Sequence, residues 1–341
     1  MTDADAPASF AEMRSLLREF PGPDEESGAA AAAREAQLTK PAGALGRLED
    51  LAEWLATWQG RHPPRIERPY AAVFAANHGV AARGVSAYPA EVTKQMVANF
   101  IAGGAAVNQL CELAAADLRV YEMALDQPTR DFSEVPAMDE ADCASAMAYG
   151  MMAVDEGIDV RALGEMGIGN TTSAAALCHA LFGGAAVDWV GRGTGIDDAR
   201  LEHKVALVAD AVARHRPVMT DPLEVLRCVG GLELAAITGA VMAARLARAP
   251  VILDGYACTA AAAVLWVLDR HALDHCVVAH VSVEPGHRRL LDHIGKAPLF
   301  DLGMRMGEAS GAALAIPVLK AACACHGGMA TFAEAGVSGP A

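Results

Sequence analysis

Three stretches of this sequence join glycines to the residue types that handle phosphates and protons. The first is GEMGIGNTTSAAAL, from Gly164 to Leu177. It reads as a strand entering a glycine-rich turn, with a helix opening at Asn170 and Thr171. Backbone N–H groups and the positive end of a helix dipole at such a point suit a phosphate. Gly167 and Gly169 permit close backbone approach and positive φ. No GK[ST] follows, so a triphosphate with magnesium is not expected. The same residues also fit a tight strand–helix turn with ordinary Asn/Thr capping, and the stretch alone does not separate the two readings.

The second stretch, VGRGTGID (190–197), precedes a helix carrying Lys204. That cation could reach a phosphate, although a lone lysine more commonly sits on a solvated helix face. In the third, GMRMGEASGAALAIPVLKAA (303–322), Glu308 stands at a helix start among Gly307, Ala309, Ser310 and Gly311. The helix dipole would hold its carboxyl ionised, whereas burial among small residues would raise its pKa and make it a proton acceptor near neutrality. The two effects oppose each other.

Other chemistries find less support. His78, His280 and His287 lie in no HExxH or paired-carboxylate spacing, so no metal is expected. No GxSxG elbow is present, and neither Ser86 nor Ser282 has a His/Asp framework around it.

The elements that must position these residues alternate along the chain. Strand-length apolar runs at 71–76, 118–123, 163–166, 251–253 and 277–281 are interleaved with helical patterns at 90–113, 141–156, 171–181, 201–214, 232–247, 258–269 and 308–324. Short strands that are apolar throughout and followed by helices predict a parallel sheet covered on both faces. The expected fold is α/β, a doubly wound sheet with helical additions at both chain ends. Ligands in such folds bind beyond the carboxyl ends of the strands. Asn77-His78-Gly79, the segment 165–170, Asp254-Gly255-Tyr256 and the segment 282–287 all fall there. At the N-terminus, a short helix (Phe10 to Phe20), a PGPDEESG linker and an Ala-rich helix start are expected.

Composition narrows the partners. Hydrophobic residues make up 53% with aromatics at only 5%, which favours close-packed helices on a sheet over a β-sandwich. The formal net charge of −15 argues against nucleic acid. The acidic start MTDADAPASFAEM has no leader pattern, and no uninterrupted apolar run reaches the roughly 20 residues of a membrane span, so no membrane partner and a cytoplasmic location are expected. The cysteines at 111, 143, 178, 228, 258, 276, 323 and 325 read as small buried hydrophobes.

Seven segments, in order, closely resemble the nicotinate-nucleotide–dimethylbenzimidazole phosphoribosyltransferase family: TKPAGALGRLE (39–49), ANHGVAARGVSAYPAEVTKQMVANF (76–100), GEMGIGNTT (164–172), VGRGTGID (190–197), HVSVEPGH (280–287), LGMRMGEASGAAL (302–314) and MATFAEAGV (329–337). The resemblance implies a Rossmann-like sheet (66–305), a small helical domain from both chain ends (1–65 and 306–341) and a homodimer. It implies nicotinate mononucleotide and an aromatic base as substrates, with no metal and no organic cofactor. Glu308 then falls on the catalytic base. Gly167, Gly169, Asn170, Thr171, Lys204 and Ser282 would hold phosphate and ribose, with Glu165 near the sugar hydroxyls. Asn77, Ser86, Tyr88, Gln95 and Met306 would line the acceptor-base pocket. Position 77 departs from the family pattern, which often has Asp before His-Gly; Asn keeps a hydrogen bond but is no base. Transfer to adenine or a phenol, or nucleotide binding without turnover, are the alternatives.

Overall fold

The computed structural model describes residues 8–339; positions 1–7 of the acidic start and 340–341 of the C-terminal segment lie outside the described residues. The strands are β1 (Pro69–Ala75), β2 (Asp117–Glu122), β3 (Val160–Met166), β4 (Val251–Leu253), β5 (Cys276–His280) and β6 (Pro298–Phe300). All pair in parallel, in the order β2-β1-β3-β4-β5-β6. The chain therefore steps outward from β1 to β2 and returns to β3 on the other side of β1. That reversal opens a crevice at the carboxyl ends of β1 and β3, the topological switch point of a doubly wound sheet.

The helices are α1 (Phe10–Leu17), α2 (Glu25–Glu35), α3 (Arg47–Gln59), α4 (Glu91–Ile101), α5 (Ala106–Ala114), α6 (Glu140–Met151) and α7 (Asn170–Phe182). They continue with α8 (Asp198–His215), α9 (Pro222–Val229), α10 (Leu232–Leu246), α11 (Tyr256–Leu268), α12 (Pro285–Ile294), α13 (Ser310–Gly328) and α14 (Phe332–Ala335). Side chains of β1 alternate between two cores. Tyr70, Ala72 and Phe74 join the layer of α6, α7, α10 and α11, while Ala71, Val73 and Ala75 join that of α3, α5 and α13. This two-sided burial is why the strands read as continuous apolar runs.

Several boundaries differ from the sequence expectation. The pattern at 90–113 is two helices, because Gly103 takes φ 82° and Gly104 packs where a Cβ would strike Asn99. The first helix stops at Leu17, short of Pro21, which disfavours helix in the residue before it. The linker is half helix: Asp24 accepts from Ser27 N at 2.8 Å and caps α2 from Glu25 onward. Strand β6 and helices α3, α9, α12 and α14 were not anticipated. Helix α13 is long and apolar enough, by length and composition, to cross a membrane, although Lys320 interrupts its apolar run. Here it packs on the sheet against α3 and α5. Of the cysteines, Cys323 and Cys325 are half-buried and the other six are buried.

The two chain ends meet. Leu38 bridges Thr331, Arg34 donates to the carbonyls of His326 and Met329, and His326 pairs with Glu35 at 2.6 Å.

Candidate active site

A cleft of about 590 Å³ opens at the switch point. Its walls come from the loop after β1 (Val85, Ser86, Tyr88), the end of β3 and start of α7 (Glu165 to Thr171), and the ends of β4 (Gly255, Tyr256) and β5 (His280, Ser282, Glu284). The loop after β6 completes it with Arg305, Met306, Gly307 and Glu308. Volume and location suit a small-molecule site.

At one end lies the first turn of α7. Its N-cap is Gly169 at φ 97°, with no side-chain cap. The ordinary Asn/Thr capping reading therefore fails. Asn170 instead donates to the Glu165 carboxylate, and Thr171 Oγ1 accepts from Lys204 Nζ at 2.9 Å. Lys204 is fully buried, not on a solvated face, and its position on α8 is wrapped by the 191–193 turn, where it donates to Gly191 O at 3.1 Å. Burial pulls its pKa from 10.5 to about 8, with the Glu284 charge acting the other way. Its ammonium thus sits directly behind Thr171, which lines the cleft. Gly193 donates its N–H to Glu284 Oε1 at 2.8 Å, closing the same corner.

At the other end, Gly307, Glu308 and Ala309 take φ 76°, 62° and 60°, and α13 begins only at Ser310. Glu308 lies before the helix in a left-handed turn, its N–H donating to Glu165 O at 3.1 Å. Its side chain is buried, and burial reinforced by the Asp254 charge lifts its pKa to about 7. Desolvation wins over the helix dipole. Glu165 is pushed well above the usual carboxylate range, by burial first and then by the charges of Asp254 and Glu233. The Glu308 carboxyl, lifted to about 7 in a cleft that the α7 N-terminus also lines, can accept a proton from a ligand whose anionic group that N-terminus holds.

Ser282 is held by His287. Burial keeps that ring neutral, with a pKa of about 3, and its Nδ1 accepts from Ser282 N at 2.9 Å. Its other nitrogen meets Thr259 Oγ1 at 3.1 Å. Ser86 meets Thr194 Oγ1 at 3.0 Å, tying the acceptor-side loop to the second glycine turn. Tyr88 and Met306 line the mouth and are more than half exposed.

Two expected site residues lie elsewhere. Asn77 is buried and its Nδ2 donates to Leu125 O at 2.8 Å, so it ties down the loop after β2 and is not part of the cleft wall. Gln95 is exposed on α4, whereas Val92, Met96 and Asn99, spaced four and three residues apart, form that wall. His78 also turns away, pairing with Glu233 at 2.6 Å and Ser173 at 3.1 Å. Asp254, Tyr256 and Glu284 stood out in the sequence only as strand-end residues, and His280 only as a histidine without metal-ligand spacing; Thr194 and Arg305 carried no signal beyond their glycine-rich neighbours.

Residues 20–337 match the phosphoribosyltransferase family. The chain is 56% identical over 336 residues to the nicotinate-nucleotide–dimethylbenzimidazole phosphoribosyltransferase of Methylocella silvestris, covering 98% of each chain. It is 57% identical over 330 residues to the enzyme of that name from Rhizobium etli, covering 97% of each. Among solved structures it superposes on CobT from Thermus thermophilus with a TM-score of 0.86 and 43% identity, covering 92% of this chain and 100% of that one.

Proposed function

The chain belongs to the nicotinate-nucleotide–dimethylbenzimidazole phosphoribosyltransferase family, and from that premise we propose how its cleft performs the transfer. The reaction moves the phosphoribosyl group of nicotinate mononucleotide to 5,6-dimethylbenzimidazole, giving α-ribazole 5′-phosphate and nicotinate, a step in cobalamin lower-ligand assembly.

The 5′-phosphate docks at the first turn of α7, where Gly167, Gly169, Asn170 and Thr171 supply backbone and side-chain donors and Lys204 supplies the charge. Ser282 and Glu165 orient the ribose between the β3 and β5 ends. The acceptor ring lies in the mouth formed by Ser86, Tyr88, Met96 and Met306. One ring nitrogen attacks C1′ as the C1′–N bond to the pyridinium breaks, and that bond's electron pair returns to the nicotinate nitrogen. The other ring nitrogen gives its proton to Glu308. Attack from the face opposite nicotinate inverts C1′ from β to α. Holding both rings on one ribose removes the bimolecular entropy cost, a large share of the rate enhancement.

The observation that carries this reading is the buried Glu308 carboxyl, held in a left-handed turn in the wall of the same cleft as the α7 N-terminus and lifted to about 7. A base matched to working pH is the most effective one for proton abstraction. Incubation of the purified protein with both substrates and no added metal should release nicotinate and α-ribazole phosphate in equal amounts. Nucleotide binding without nicotinate release, whatever acceptor is supplied, would reduce the chain to a binding protein. The exposed Tyr88 and adaptable Met96 and Met306 leave room for other bases. Competition among dimethylbenzimidazole, adenine and a phenol at equal concentration measures that preference as a kcat/KM ratio.

The proposal also covers assembly and location. The contacts of Arg34, Glu35 and Leu38 with residues 326–331 support a small helical unit built from both ends, and the family resemblance supports a cytoplasmic homodimer. Light scattering after gel filtration should return twice the 35.4 kDa chain mass; a monomer would remove the dimer from the proposal.

A further inference from the structure

Asp254 ends β4 and is fully buried. Its Oδ1 accepts from Ala312 N at 2.9 Å, in the first turn of α13. The N-cap of that helix is Ala309, whose methyl group accepts nothing. Asp254 therefore caps α13 from a neighbouring strand, the role an Asp or Ser usually plays from within the chain. Asp254 Oδ1 also lies 3.6 Å from Nε2 of His280, at the end of β5. Asp254 Oδ2 and both ring nitrogens of His280 are buried with no hydrogen-bond partner, and His280 lines the cleft.

The segment this carboxylate pins is strained. Gly307 adopts its positive φ freely, but Glu308 and Ala309 do so against the clash of their own Cβ atoms with the backbone. Such a turn persists only where its surroundings over-determine it. From β3, Glu165 O takes the Glu308 N–H, and Gly164 leaves the space that Ala309 fills. Within the loop, Ser310 Oγ donates to Gly307 O at 2.6 Å. From β4, the hold is Asp254. Gly311 lets it come close, since a Cβ there would lie 2.9 Å from Asp254 Oδ1.

We propose that Asp254 is a positioning residue for Glu308, pinning the first turn of α13 through its carboxylate and acting on the Glu308 carboxyl through its charge. This rests on the reading of Glu308 as the proton acceptor. The charged or titratable groups that line the cleft with Glu308 are Tyr88, Glu165, Tyr256, His280, Glu284 and Arg305, and Asp254 lies buried behind that wall. Of these, Asp254 is the one whose charge adds to burial in lifting the Glu308 carboxyl. Burial depresses the His280 ring, but the charge of Asp254, 3.6 Å away, prevails and holds it above its ordinary value.

The test compares kcat, KM and the pH profile of the transfer in the wild type, Asp254→Asn, Asp254→Ala and Glu308→Gln, with a thermal melt of each. Asn keeps an oxygen for Ala312 N and loses the charge. Asp254→Asn should fold normally and move the acid limb of kcat/KM down by about one pH unit. Asp254→Ala should lower kcat on the order of 10- to 100-fold with KM for nicotinate mononucleotide nearly unchanged, because the base is misplaced while the phosphate end is intact. An unmoved acid limb in Asp254→Asn, or a KM rise that matches the kcat loss in Asp254→Ala, would overturn the proposal. Full activity in Glu308→Gln would instead bring down the reading of Glu308 itself.

Discussion

Lys204 and Glu308 are both charged side chains taken out of water within one cleft, and burial acts on them by the same physics to opposite chemical ends. At the α7 end, desolvation lowers the lysine from 10.5 to about 8, leaving it mostly protonated at neutral pH. A phosphate docking there restores the counter-charge that burial removed. At the α13 end, desolvation raises the carboxyl from 4.5 to about 7, leaving it divided between its two forms. In the proposed mechanism the lysine stays charged and binds, whereas the carboxyl changes charge and reacts. The comparison teaches that burial alone assigns no role. The neighbours do: Thr171 and the Gly191 carbonyl accept from the ammonium, whereas Asp254 crowds the carboxyl with like charge.

Removing each charge should therefore break a different kinetic constant. The largest effect is expected from Glu308→Gln, a fall in kcat of about 10²- to 10⁴-fold with KM for the nucleotide nearly unchanged, read from initial rates of nicotinate release. Lys204→Met should leave kcat less affected and raise that KM by roughly 10- to 100-fold, since a charge-assisted phosphate contact is lost. A Lys204→Met variant that loses kcat with KM intact would erase the distinction between the two ends.

Stability should move with pH in opposite senses at the two ends. The folded Glu308 carboxyl lies above its unfolded value, so its contribution is fully favourable below about 4.5 and is lost as pH rises through about 7. Glu308→Gln should gain on the wild type by roughly 2–3 kcal/mol between pH 5 and 8, measured by urea unfolding. The lysine lies below its unfolded value, so its penalty is complete below about 8 and vanishes above 10.5. The melting-temperature gain of Lys204→Met should accordingly shrink over that alkaline window. The smallest effect is expected at Gln95. Gln95→Ala should change kcat/KM by less than about threefold, because that side chain points to solvent.

The sheet was legible because burial on both faces writes β1, β3, β4 and β5 as largely apolar runs, while the edge strand β2 was placed on its alternating Leu118 and Val120 despite its half-buried and exposed residues. Strand β6 escaped because three half-buried residues at the sheet edge leave no such run. The glycine turns and Glu308 were legible as strand-end residues with a physical reason to bind or react. Lys204 was not, since its burial depends on the 191–193 turn folding over it. Gln95 and Asn77 were misplaced for a related reason. Which face of α4 meets the cleft is decided by packing on β2, and whether a strand-end side chain turns inward is decided by which loop needs a donor. Asp254 showed only its position in sequence, because its partner, Ala312, lies 58 residues away.

The most direct test of the account is the pH dependence of kcat at saturating nicotinate mononucleotide and dimethylbenzimidazole, in the wild type and in Glu308→Gln. The account predicts an acid limb with an apparent pKa near 7 in the wild type, and no such limb in the residual activity of the variant. A wild-type profile that stays flat to well below about pH 6, or a limb that survives in Glu308→Gln, would contradict it.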